Sequence, residues 1–137
     1  MVLTAFKKPV LLFKKLRGNL RPVKIYYTKE ISSAHRLSLP YESKCLRLHG
    51  HNYKVELFIE GEKNEVGMIV DFTHLKGVVM SYDHIFMNDI VEQPTVENIL
   101  SHMLGKLMNL PHTNISSITV RIWEDSESYA EDTWLNS

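Results

Sequence analysis

The sequence is short of the features that mark several classes of protein. It has one cysteine, Cys45, so no disulfide can form within the chain, and a bridge-stapled scaffold of an oxidising compartment is excluded. No apolar run exceeds the four residues from Val10 to Phe13. A secretory leader needs about 7 to 15 apolar residues and a membrane-spanning helix about 20, so a cytoplasmic protein with no membrane partner is expected. The formal net charge is zero, which removes any whole-chain attraction to nucleic acid, and no nucleic-acid partner is expected. No internal repeat or low-complexity tract is present.

What remains is the composition of an ordinary globular domain, 44% apolar and 23% charged over 137 residues. A chain of this length can bury roughly two-thirds of its unfolded surface as one core. Charge is unevenly spread. Residues 1–22 hold Lys7, Lys8, Lys14, Lys15, Arg17 and Arg21 and no acid, leaving ten basic against sixteen acidic groups, net −6, in the rest. Pro9, Gly18 and Pro22 punctuate this stretch. It is read as a basic N-terminal extension, a loosely packed tail or a strand docked on a neighbour, with 23–137 as the folded domain.

From Val23 the pattern has period two. Val23, Ile25, Tyr27 and Ile31 share one parity and Lys24, Thr28 and Glu30 the other, which predicts a half-buried strand. Residues 51–60 repeat it, with Tyr53, Val55, Leu57 and Ile59 on the apolar side. Between the two lies a connection of about 36–50, too long for a tight hairpin and carrying Cys45. Asp71 can cap a helix reaching about Tyr82, with Phe72, Leu75, Val79 and Tyr82 turned inward and Gly77 weakening it by about 1 kcal/mol relative to alanine. A second helix, capped by Thr95 after Pro94, presents Val96, Ile99, Leu100, Met103, Leu104 and Leu107 on one face and ends near Asn109. Ile118, Val120 and Ile122 then alternate along a third strand, and a short fourth follows around 129–134. The order ββααββ predicts an α+β domain, an antiparallel four-stranded sheet with two helices on one face. Its other face reads as polar and its edges as open, suited to solvent or to a subunit interface.

Strand parity also sorts the histidines. His49 and His51 stand two apart on extended chain, roughly 7 Å along the strand, on the side of Tyr53 and Val55. His35 shares parity with Ile31. Three imidazoles on the helix-covered side at one end of a hairpin suit zinc, and three protein ligands leave one tetrahedral position open, as in catalytic rather than structural sites. Cys45 has three readings at this point: a fourth ligand, a small buried apolar residue, or a thiolate beside the metal. Asp83 and His84 follow the first helix, where a solvated helix end would equally explain them. Glu124 ends the third strand on the buried parity, where a carboxylate needs donors, such as the paired N–H groups of a ligand.

The segments SSAHRL, CLRLHGHNY, GMIVDFTHLK, YDHIFMN and PTVEN, with the strand ending at Glu124, occur in an order that resembles the 6-pyruvoyltetrahydropterin synthase and 6-carboxytetrahydropterin synthase superfamily over about 23–137. The resemblance implies a tunnelling fold, in which three sheets close a twelve-stranded barrel and two trimers stack into a homohexamer. It implies zinc on His35, His49 and His51, catalysis by Cys45 with Asp83 and His84, and a pterin ring gripped by Glu124 with Thr95 and Glu97 nearby. The implied substrate is 7,8-dihydroneopterin triphosphate, a pterin triphosphate, with zinc as Lewis acid, Cys45 as base and His84, oriented by Asp83, as proton donor or relay. Cys45 stands four residues before His49, the spacing of the carboxy-forming branch, which releases acetaldehyde and triphosphate on the route to 7-deazaguanine (queuosine-type) nucleosides. The pyruvoyl-forming synthase is the alternative, and a zinc-stabilised binding protein without turnover is a rival of another class. Tyr82 departs from the family pattern, where leucine commonly precedes the Asp-His pair. Arg36, Lys44 and Arg47 are candidates for the triphosphate.

Overall fold

The computed structural model describes residues 22–110 and 114–136. The basic extension, except for Pro22, lies outside the described residues. Strand β1 (Val23–His35) pairs antiparallel with β2 (His49–Gly61), β2 with β3 (Ile115–Trp123) and β3 with β4 (Tyr129–Leu135), so the sheet order follows the chain. Helices α1 (Phe72–Met80) and α2 (Val96–Met108) lie between β2 and β3 in sequence. Element order, antiparallel pairing and the placement of both helices against one sheet face agree with the reading from periodicity.

Apolar alternation drives this arrangement. Tyr53, Val55, Leu57 and Ile59 of β2 are sealed from solvent and meet Ile118, Val120 and Ile122 of β3 beneath Leu75 and Val79 of α1 and Ile99, Met103 and Leu107 of α2. Each such side chain contributes about 1.5–3 kcal/mol on burial, so the central strands are the most strongly held. Each helix begins at its expected cap. Asp71 accepts from the Thr73 amide at 2.8 Å and Thr95 Oγ1 from the Asn98 amide at 3.1 Å. At the far end of β2 the chain needs Gly61. A Cβ there would stand 2.4 Å from the Asn114 carbonyl oxygen, and the β2–β3 register shifts between Glu60 and Gly61.

Three expectations are corrected. Helix α1 stops at Met80, and Tyr82 reaches the core from the turn beyond it. Phe72 is not inward. As the first helical residue it sits at the margin of the core, 49% exposed, with its ring stacked 6.4 Å from Tyr27. The sheet face away from the helices is not simply polar either. Glu56 is only 8% exposed there, because Tyr26 Oη and Trp123 Nε1 each donate to its carboxylate at 2.6 Å and Arg121 stacks over Phe58 and Tyr129. Burial alone pushes the Glu56 carboxyl up, but those two donors, with Lys54 and Arg121, outweigh it and hold the group below its ordinary value.

Gly77 lies exposed within α1, and nothing stands within 4 Å of where its Cβ would be. Gly77→Ala should therefore stabilise the fold by about 0.5–1 kcal/mol, read as a raised midpoint in thermal or denaturant unfolding; an unchanged or lower midpoint would contradict the open environment.

Candidate metal centre and active site

The β1–β2 register sets His35 directly across from His49, and His51 lies on the same face of β2 one pleat further on. The three rings stand edge to face, with centroids 4.6, 5.0 and 4.8 Å apart, and one nitrogen from each lies within 4.8 Å of the others. Among the described residues this is the group of histidine, cysteine and carboxylate side chains that converges as a metal site would.

The outward nitrogens identify the tautomers. His35 Nδ1 meets the Pro94 carbonyl at 2.7 Å and His49 Nδ1 the Arg47 carbonyl at 2.7 Å. A carbonyl can only accept, so each Nδ1 carries a proton, and in the neutral ring that a metal requires each Nε2 presents a lone pair. His35 Nε2 and His49 Nε2 are 3.0 Å apart, close to the roughly 3.3 Å separation of two ligands on a tetrahedral ion bound at about 2.05 Å. In that form the two lone pairs face each other, an arrangement that suits a cation. Burial pushes the His51 imidazole below its ordinary value against the opposing pull of Glu124, so it too favours the neutral, ligating form. The donor set fits a metal, and main-chain carbonyls hold two of its rings in the ligating orientation. Tyr53 Oη, 3.3 Å from His35 Nδ1, packs against the same ring.

Glu124 follows β3, and its Oε1 lies 3.6 Å from His51 Nε2 and 3.8 Å from His35 Nε2. At these separations it adds negative charge beside the centre without receiving an imidazole hydrogen bond. Cys45 is half-buried in a short 3-10 turn (Lys44–Leu46) and does not join the converging ligand atoms. Its amide donates to Ser43 Oγ at 3.1 Å and its carbonyl accepts from the Leu37 amide at 2.9 Å, which ties the loop back to the end of β1.

Two amides that the sequence reading did not single out brace that loop. Asn88 exchanges two hydrogen bonds with the Arg36 main chain, at 3.0 and 2.9 Å, and Gln93 does the same with Ser38, at 3.0 and 2.6 Å. Each side chain acts as a short stretch of strand. The Pro94 and Arg47 carbonyls were also missed, since a main-chain acceptor leaves no residue-type signal. In the PTVEN stretch the observed roles are a carbonyl on His35 from Pro94 and a helix cap from Thr95; Glu97 is exposed in the first turn of α2.

Asp83 and His84 form a second cluster at the outer edge of β1. Asp83 Oδ1 accepts from the Ser32 amide and its other oxygen from His84 Nδ1, both at 2.8 Å. These bonds hold the Asp83 carboxyl below its ordinary value, the Ser32 amide contributing most. The His84 amide donates to the Ser32 carbonyl at 2.7 Å, and the Ala34 amide to the Ile85 carbonyl at 3.1 Å. His84 has φ 55°, the one non-glycine residue with positive φ among those described, and its side chain is 80% exposed. An open depression of about 520 Å³ runs between His51 on one side and His84, Ile85 and Phe86 on the other.

Comparison with known proteins agrees with this arrangement. The model of the 6-pyruvoyl tetrahydropterin synthase family matches residues 24–133. A Pyrococcus horikoshii protein provisionally named 6-carboxy-5,6,7,8-tetrahydropterin synthase is 42% identical over 141 aligned residues, covering 81% of this chain and 90% of its own. The dihydroneopterin monophosphate aldolase of Pyrococcus furiosus is 33% identical over 118 residues, 81% of this chain and 97% of its own. The solved structure of Caenorhabditis elegans 6-pyruvoyl tetrahydropterin synthase aligns with a TM-score of 0.64 at 27% identity, over 86% of this chain and 98% of that one. With its sequence matched over residues 24–133 and its fold aligned to a solved member, the chain belongs to the 6-pyruvoyl tetrahydropterin synthase family.

Proposed function

We propose that this chain is a zinc-dependent 6-carboxy-5,6,7,8-tetrahydropterin synthase, converting 7,8-dihydroneopterin triphosphate to 6-carboxytetrahydropterin, acetaldehyde and triphosphate in 7-deazaguanine (queuosine-type) biosynthesis in the cytoplasm. The observation that carries it is the convergence of three imidazole nitrogens with a cysteine left out of the ligand set, four residues before His49. Relatives named for this activity, such as the Synechocystis enzyme at 32% identity over 108 residues, support the carboxy-forming branch over the pyruvoyl-forming one.

His35, His49 and His51 would hold the zinc, which when bound would supply Lewis acidity toward the substrate's side-chain oxygens and acidify the adjacent C–H. Cys45, as thiolate, removes that proton. Asp83 keeps His84 in the Nδ1–H tautomer, leaving Nε2 to deliver or relay a proton. Glu124 accepts from the pterin amino and ring N–H groups, with Thr95 and Glu97 bordering the ring. Arg36, Lys44 and Arg47, on or beside the Cys45 loop in sequence, are the cations available to the triphosphate. The active form is a homohexamer. The β1 and β4 edges and the exposed Tyr41, Leu48, Phe86 and Ile90 support assembly through these surfaces.

Incubation with dihydroneopterin triphosphate should release acetaldehyde with 6-carboxytetrahydropterin. A pyruvoyl product without carbon loss, cleavage confined to dihydroneopterin monophosphate, or no turnover would each overturn the assignment. Cys45→Ala should lower turnover by about 10²-fold or more while retaining about one zinc per chain; loss of zinc would make the thiol a ligand. Glu124→Gln should raise the substrate Kd about tenfold or more, and unchanged binding would remove the pterin grip. The Asp83 clamp has a defined pH window. Because its carboxyl is depressed in the fold, the contribution of the clamp is complete above the unfolded carboxylate value and is lost only as pH falls through the lower folded value. The Ser32 amide resonance should thus hold steady from neutrality to about pH 4 and move below it. A transition centred above that would contradict the clamp.

A further inference from the structure

Beneath the Asp83–His84 pair sits a polar contact for which the proposed chemistry has no use. Tyr82, immediately before the pair, is sealed from solvent. Its hydroxyl is 2.7 Å from His102 Nδ1 of α2, and the two rings stand edge to face at 5.7 Å. Lys106, four residues along the same face of α2, lies 4.7 Å from the Tyr82 ring centroid and donates to Ser81 Oγ at 3.2 Å. On the other side the Tyr82 carbonyl accepts from Ser33 Oγ, and its amide donates to the Val79 carbonyl at 3.1 Å.

A residue whose task was only to fill the core here would have no need of a hydroxyl, since a buried hydroxyl must be matched by a partner. This one is matched by a single imidazole from the neighbouring helix. Burial pushes the Tyr82 phenol up, so the group stays protonated and can donate to Nδ1. The turn that follows has little slack. Its positive φ at His84 is a conformation that a non-glycine residue keeps only when the surroundings hold it. β1 grips the far side of the turn through Ser32, Ser33 and Ala34. The near side, where the chain leaves α1, is gripped through Tyr82.

We propose that His102, acting through Tyr82, is a positioning residue for the Asp83–His84 pair, because the Tyr82–His102 hydrogen bond sets where the chain enters the turn that bears the pair. The catalytic part of this inference rests on the acid–base reading of Asp83 and His84 given above. The anchor itself stands on the geometry alone. His102 never meets the substrate and works by keeping the Asp83 carboxylate on His84 Nδ1–H.

The test uses the full chain with zinc bound and the variants Tyr82→Phe, which keeps the ring, His102→Leu, their double, and His102→Gln, which keeps an acceptor. Two readouts are needed: kcat and KM with dihydroneopterin triphosphate, and the imidazole 15N shifts of His84, which report the Nδ1–H tautomer independently of turnover. Tyr82→Phe and His102→Leu should each lower kcat about tenfold or more, with KM and zinc content unchanged. Both should mix the His84 tautomers, the double should be no worse than either single, and His102→Gln should recover much of the loss. An unmoved kcat and tautomer in Tyr82→Phe, or a loss that follows thermal stability alone with the tautomer intact, would overturn the anchor. If the wild-type chain turned over no pterin, the acid–base reading would fall, and a shifted tautomer in the variants would still establish the anchor.

Discussion

The pairing of His35 with His49 across β1 and β2 is the constraint on which the rest depends. It is a consequence of register, and register is set elsewhere. The alternation that buries Ile31, Tyr53, Val55, Leu57 and Ile59 cannot slip by one residue without turning every one of them to the opposite face. A slip by two would keep the faces but carry the opposed rings roughly 7 Å apart, beyond the reach of one ion. The apolar core therefore places the ligands, and the site inherits its precision from packing that has no chemical role. The Pro94 and Arg47 carbonyls finish what register begins, because they decide which nitrogen of each ring is left bare.

This dependence also explains what could be read from the sequence. Period-two alternation is a local signal, so the parity shared by His35, His49 and His51, and through it the convergence of their rings, was legible. So was the cap of α2, since Thr95 acts within its own first turn. Partners fixed by tertiary contact were not legible. The carbonyls on His35 and His49 belong to main chain that any residue supplies, and the Asn88 and Gln93 braces reach fifty residues along the chain to Arg36 and Ser38. The misreading of Phe72 has a similar origin. Helical periodicity assigns a face but does not say where the core ends, and Phe72 falls where α1 passes its margin beside Tyr27. Glu56 escaped because a sheet was assumed to have only one covered face, whereas Tyr26, Trp123 and Arg121 build a small cover on the second.

The two chemical clusters are built to different standards. The imidazole cluster adjoins the buried core, with His35 1% exposed and its ring held by the Pro94 carbonyl, which fixes the orientation a metal ligand needs. The Asp83–His84 pair lies on an exposed turn at an edge strand, in an uncommon backbone conformation. Its order comes from hydrogen bonds on both flanks rather than from burial. That arrangement suits the proton-relaying role proposed for His84, which calls for contact with water, as burial suits imidazoles proposed as metal ligands.

Charge brings the Cys45 loop into the same picture. The domain beyond the basic extension is net −6, a poor environment for the triphosphate of the proposed substrate. Yet the connection from 36 to 48 holds Arg36, Lys44 and Arg47 against the single acid Glu42. On the proposed reading, the loop that carries Arg36, Lys44 and Arg47 also carries the base, and the Asn88 and Gln93 braces tie that loop to the strand end that bears His35.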